Sequence, residues 1–120
     1  MYIILILLGY LLPTILFIIG FAFSKYPPKK INSFSGYRTT RSMKNIDTWN
    51  EANKYSANLL FEYSIFLLVI ITLGVILTLK SFKLIAIVDL GSVVLSFTFI
   101  IVVIVKTENH LKKVFENSSY

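Results

Sequence analysis

The chain has 120 residues, 56% of them hydrophobic and 15% charged, with a net charge of +6 and no cysteine. A mean hydropathy of +0.75 excludes a water-soluble globular domain, because a chain this short cannot bury so many Ile, Leu, Val and Phe side chains. Disulfide frameworks and thiolate metal sites are excluded with the cysteines, and a basic excess lying outside the apolar runs suits anionic lipid headgroups rather than direct nucleic-acid binding.

The first apolar run, Tyr2 to Phe23, is uncharged. As a helix it would extend about 33 Å, enough to cross a bilayer core. A cleaved signal peptide would need basic residues first and a small-x-small site afterwards. Here the run starts at once and SKYPPKK follows, so a retained span is expected, bent at Pro13.

Residues 24–58 form a polar, basic loop. Pro27-Pro28 ends the helix, Lys29-Lys30 can meet headgroups, and Ser35-Gly36 signals a turn. Tyr37-Arg38 is an aromatic-cation pair suited to an interface. Ser42 and Asn45 are both N-cap types, and Asp47 favours a first turn. From Ile46 no Gly or Pro occurs until Gly74. Trp49, Asn53, Ser56 and Leu60 share one helical face. One long helix is therefore expected, starting near Ser42 or Asn45 and entering the second span, with or without a kink at residues 55–58.

The second span is expected at 59–79 and the third at 84–105, joined by Lys80-Ser81-Phe82-Lys83. So short a link implies an antiparallel helical hairpin. Ten of the twelve Lys and Arg residues lie in the first loop and in the tail, 106–120; only Lys80 and Lys83 lie on the other side. The positive-inside rule then places the N-terminus outside and the loop and C-terminus in the cytoplasm, as for a multi-pass protein of a bacterial inner membrane. The expected fold class is an all-α membrane protein of three transmembrane helices in one module, 1–120. The tail could form a short amphipathic turn through Leu111, Val114 and Phe115, or fray. Asn117-Ser118-Ser119 is a glycosylation sequon without meaning on the cytoplasmic side. His110 is expected to be solvated.

Two acids fall within spans. Glu62 lies about 5 Å inside the edge, where it can snorkel or meet Lys106. Asp89 lies about 9 Å in from the other edge. It heads a stripe of Ala86, Asp89, Ser92 and Ser96, a small-residue face suited to helix packing. Gly9, Tyr10 and Gly74 lie at matching depth. A Tyr10–Asp89 hydrogen bond joining the helices is expected, with a functional cavity as the rival.

No catalytic, cofactor or metal motif is present: there is no His-Glu zinc pattern, no nucleophile elbow and no pair of acids at one depth. This argues against an enzyme. In the loop, Gly36 would let a ligand approach the backbone, and Arg38, Arg41 and Lys44 beside a helix N-terminus would suit a phosphate or carboxylate. The plainer reading is that they anchor the loop to headgroups and brace the helix entry.

The ordered pattern says more. GYRT-x-x-S, N-x-x-T-W and A-N-K-Y (Gly36, Tyr37, Arg38, Thr39, Ser42, Asn45, Thr48, Trp49, Ala52, Asn53, Lys54, Tyr55) resemble the signature of the SdpI family of bacterial membrane proteins. The flanking spans resemble that family's layout in a short, single-module form. The resemblance implies immunity to, or sensing of, an antimicrobial peptide toxin, with capture of a cytoplasmic repressor protein. The founding member has additional spans before this module, so either role could be missing here. A small regulator or accessory subunit beside a transporter or envelope enzyme is the alternative, and a homo-oligomer could form a pore.

Overall fold

The computed structural model describes residues 1–117; Ser118 and Ser119 of the sequon lie outside the described residues. Three helices follow in order: α1 (Tyr2–Lys25), α2 (Ile46–Thr78) and α3 (Phe82–Leu111), with a wider π-type turn at Lys112–Glu116. Each is long and apolar enough to cross a membrane. The molecule measures 58 × 26 × 19 Å, so its long axis exceeds a hydrocarbon core of about 30 Å. The excess is largely polar helix: the first turns of α2 and the last turns of α3, beside the 26–45 loop.

Helix α1 runs without interruption through Pro13, a residue tolerated in membrane helices where neighbours re-satisfy the freed carbonyl. Gly9, Pro13, Leu16 and Gly20 form its buried face. At Gly20 the backbone of Phe61 comes so close that a Cβ would stand 2.6 Å from its nitrogen. Missing side chains thus let α1 lie directly on α2, the usual device of helix packing in lipid, where no hydrophobic drive separates helix from solvent.

The start of α2 is set at Asn45, the second of the two expected caps. Asn45 Oδ1 accepts from the Thr48 amide (2.9 Å), and Thr48 Oγ1 accepts from the Asn45 amide (3.1 Å). Two orphan amides of the first turn are satisfied reciprocally. The helix then continues unbroken for 33 residues to Thr78. Its buried face carries Trp49, Ala52, Asn53 and Ser56 in the polar part, then Leu67, Ile71 and Val75. Leu79 to Ser81 link it to α3, whose N-cap is Ser81. Gly74 meets Val88, and Tyr63 and Phe66 meet Phe99.

Many large apolar side chains on the bundle's outside, including Leu7, Leu11, Leu77, Leu90 and Phe97, are more than half exposed. Such a surface matches a lipid solvent.

Two expectations are corrected, and two left open are decided. Tyr10 donates to Thr72 Oγ1 (2.7 Å), not to Asp89. Adjacent helical residues point about 100° apart, so with Gly9 facing α3, Tyr10 turns to α2. The α1–α3 junction nevertheless sits at Asp89: a Cβ on Gly9 would fall 2.1 Å from Asp89 Oδ1, and Ser92 Oγ donates to the Gly9 carbonyl (2.9 Å). Of the two roles expected for Glu62, its exposure fits the snorkelling one, and Lys106 donates to the Tyr63 hydroxyl (2.7 Å). His110 is not simply solvated: it stacks on Tyr55 with ring centroids 4.0 Å apart and contacts Glu51 Oε1 at 2.8 Å. Of the two forms expected for the tail, the turn is the one found over the described residues: Leu111 is fully buried, Lys112–Glu116 is helical and Glu116 is held by Arg41.

Candidate functional site

The loop between α1 and α2 folds into a cap. Asn32 Oδ1 accepts from the amides of Phe34 and Ser35 (2.9 and 2.8 Å), closing an Asx-type turn. The chain then reaches Gly36, whose φ of +94° lies in the left-handed region that favours glycine. This conformation delivers the Tyr37 amide to Asn53 Oδ1 at 2.7 Å. Asn53 in turn donates Nδ2 to the Trp49 carbonyl at 2.9 Å, which orients its amide. Trp49 is fully buried and donates Nε1 to the Pro28 carbonyl at 2.7 Å. One buried face of α2 thus holds the loop at Pro28 and at Tyr37.

Beyond Tyr37 the loop is stitched by Ser42, itself fully buried. Ser42 Oγ accepts from the Thr39 amide (2.8 Å) and donates to the Tyr37 carbonyl (3.0 Å). The Ser42 amide donates to Thr39 Oγ1 (3.1 Å), and Thr48 Oγ1 donates to the Ser42 carbonyl (3.1 Å). These bonds satisfy backbone groups that would otherwise be left unpaired near the apolar bundle.

The cap is tied to α3 through Glu108. Its Oε1 accepts from the Tyr37 hydroxyl at 2.8 Å and from Thr39 Oγ1 at 2.7 Å, while its Oε2 pairs with Arg41. Arg41 Nε also binds Glu116 Oε1 at 2.7 Å. The Tyr37 hydroxyl lies 3.2 Å from the Ile104 carbonyl as well. Burial, then the hydrogen bond and charge of Glu108, push the Tyr37 phenol far above its ordinary range, so Tyr37 serves as a neutral donor. Hydrogen bonds to Glu116 and Glu108 raise the Arg41 guanidinium further. Partly exposed ion pairs such as these contribute little by themselves. The neutral donors Tyr37 and Thr39 add the directional part.

Of the residues singled out from sequence, Gly36, Tyr37, Thr39, Arg41, Ser42, Asn45, Trp49 and Asn53 are brought together in this cap. Arg38 is not: it is exposed and bonds within the loop, to the Ser33 carbonyl. Glu62, Asp89 and Tyr10 lie elsewhere on the bundle. Sequence reasoning missed Glu108, Glu116 and the Glu51–His110–Tyr55 group. The nearest signal was spacing: Glu108 lies three residues before the buried Leu111, beside the packed face of α3 that Val103, Thr107 and Leu111 continue.

Both Glu108 oxygens are occupied by donors. These bonds fix the loop to the end of α3. Among the described residues no set of three or more His, Asp or Glu side chains could hold a metal ion. Beneath the cap lies a cleft of about 240 Å³ between the three helices, with Gly36, Tyr37, Asn53 and Ser56 at its polar end. Outside it, an open groove runs along Thr39, Thr40, Arg41, Lys44, Glu108 and Glu116.

Residues 29–107 match the model of the SdpI/YfhL protein family, a stretch that takes in the cap, all of α2 and most of α3. Uncharacterized protein YfhL of Bacillus subtilis (strain 168) is 41% identical over 83 residues, covering 69% of this chain and 73% of YfhL. No solved structure matches. The chain belongs to the SdpI/YfhL protein family and is a multi-pass, all-helical membrane protein.

Proposed function

We propose that the chain gives immunity to, or senses, an antimicrobial peptide toxin, acting by binding rather than catalysis. In this reading it is a single module in a bacterial inner membrane, with the N-terminus outside, α2 and α3 as a hairpin, and the cap and C-terminus in the cytoplasm. The observation that carries the reading is the Glu108 tie. It joins a folded loop to the end of a membrane helix over a sequence separation of 71 residues, Tyr37 to Glu108. A peptide that shifts α3 in the membrane would strain this tie and alter the cap surface, where a repressor protein could be captured. Family membership supports the same reading. The toxin contact itself falls to the spans and the Leu79 to Ser81 link, since the cap faces the opposite side.

The test is expression in a toxin-sensitive strain exposed to a panel of membrane-active peptides. Survival above the vector control is expected. Arg38→Ala, which removes an exposed cation outside the tie, should retain protection but weaken repressor capture, while Trp49→Ala should lose both. Unchanged killing across the panel would refute immunity. It would favour an accessory role beside another membrane protein.

A further inference from the structure

Pro13 has no amide hydrogen, so the carbonyl four residues before it, that of Gly9, lacks a partner within α1. Ser92 Oγ of α3 lies 2.9 Å from this freed carbonyl and 2.8 Å from the Asp89 carbonyl, with one hydrogen to serve both. The Asp89 carboxyl packs beside them, so close to Gly9 that a Cβ there would stand 2.8 Å from Asp89 Cγ. Asp89 is 8% exposed. Among the described residues no group donates a hydrogen bond to either of its carboxyl oxygens. The α1–α3 junction is thus rich in acceptors and poor in donors.

No cation offsets a carboxylate at this place. Between Tyr2 and Lys25, α1 carries one titratable side chain, Tyr10, and it donates to Thr72. Tyr2 itself packs on Phe82. Beyond Tyr63, α2 carries none, and between Lys83 and Lys106 α3 carries only Asp89. The Met1 amine, Lys80 and Lys83 stand exposed at the end of the bundle opposite the cap. A buried charge left without a partner is strongly disfavoured, and the Gly9 carbonyl repels a carboxylate while it attracts a proton. A hard metal ion would take six or more oxygens, more than this junction gathers; a proton needs one.

We propose that Asp89 is a proton-binding site whose neutral carboxyl joins α1 to α3, the proton exchanging with water at the Lys80 to Lys83 end. Loss of the proton leaves a carboxylate against the Gly9 carbonyl, so α1 must part from α3 until water reaches it. The inference does not rest on toxin immunity.

The test is NMR of the full chain in detergent, with aspartate isotope-labelled at its side-chain carboxyl carbon. Asp47 is the only other aspartate and is exposed. Asp47→Asn assigns its resonance, so Asp89 is read without being altered. In potassium buffer at neutral pH, Asp89 is expected to show the chemical shift of a protonated acid and Asp47 that of a carboxylate. A carboxylate shift for both would overturn the proposal. So would an Asp89 resonance that moves when sodium replaces potassium at constant pH and ionic strength, which would assign the site to a metal cation. As pH rises and Asp89 ionises, amides of residues 6–12 should exchange about tenfold faster than in Asp89→Asn at the same pH; Asp89→Ala is the reference if that variant fails to fold. Equal exchange would overturn the joining role. A protonated shift that persists until the bundle unfolds would show a locked proton and overturn the exchange with water.

Discussion

Replacing Gly36 with alanine attacks the cap at its tightest point. The new Cβ would lie 2.4 Å from Asn53 Oδ1 and 2.8 Å from Pro28 Cγ, at a φ of +94°. The left-handed backbone costs about 1–2 kcal/mol for a residue with a Cβ. Displacing Asn53 also breaks its 2.7 Å bond from the Tyr37 amide and strands a buried acceptor, about 1–3 kcal/mol more. The expected loss is therefore about 2–5 kcal/mol, concentrated in the cap. Amide exchange of the purified protein in detergent should show residues 37–42 opening much faster, with the central turns of α2 and α3 little changed. Gly91→Ala is the control. Nothing lies within 4 Å of that position, and a helical Gly→Ala change gains about 0.5–1 kcal/mol. If Gly36→Ala exchanges like Gly91→Ala, the cap is not held by the Gly36–Asn53 approach and the reasoning fails.

Three further outcomes are expected. Glu108→Ala removes the acceptor shared by Tyr37, Thr39 and Arg41 and should destabilise the cap by about 2–3 kcal/mol, read as faster exchange at 37–42 and at the end of α3. Because the folded Tyr37 phenol titrates above its ordinary 10.0, its contribution is complete below that value and is lost as pH rises through the folded one. The stability difference between wild type and Tyr37→Phe should stay flat below about pH 9 and shrink above about pH 10 in alkaline unfolding curves. Gly9→Ala places a Cβ 2.1 Å from Asp89 Oδ1 and should lower the melting temperature, with Asp89→Ala restoring it. A double-mutant coupling of about 1 kcal/mol or more is expected, and additivity would show that the two residues are not in contact.

Much of this architecture is legible in the sequence because lipid imposes simple rules. Three apolar runs of sufficient length, with at most one charge each, a proline pair at the exit of α1 and an N-cap residue before Asp47 announce the helices. The Gly9 and Asp89 faces could be matched by depth. The partner of Asp89 could not, since neighbouring residues such as Gly9 and Tyr10 share a depth and differ only in direction. The cap was half visible. Its motif residues on α2 fall at helical spacing, and Gly36 marks a turn. Glu108 stayed hidden because a single acid in a polar tail looks solvated until the tail is known to continue α3 back toward Tyr37. His110 was misread for the same reason: its partners Tyr55 and Glu51 lie on the polar turns of α2, brought near only by helix packing.

The central claim is that a cap tied to α3 by Glu108 serves protection against a membrane-active peptide. Survival of toxin-exposed cells carrying wild type or Glu108→Ala, compared at equal membrane abundance, tests it most directly. Protection by the wild type and loss of most of it in Glu108→Ala are expected. Full protection by Glu108→Ala, or none by the wild type, would contradict it.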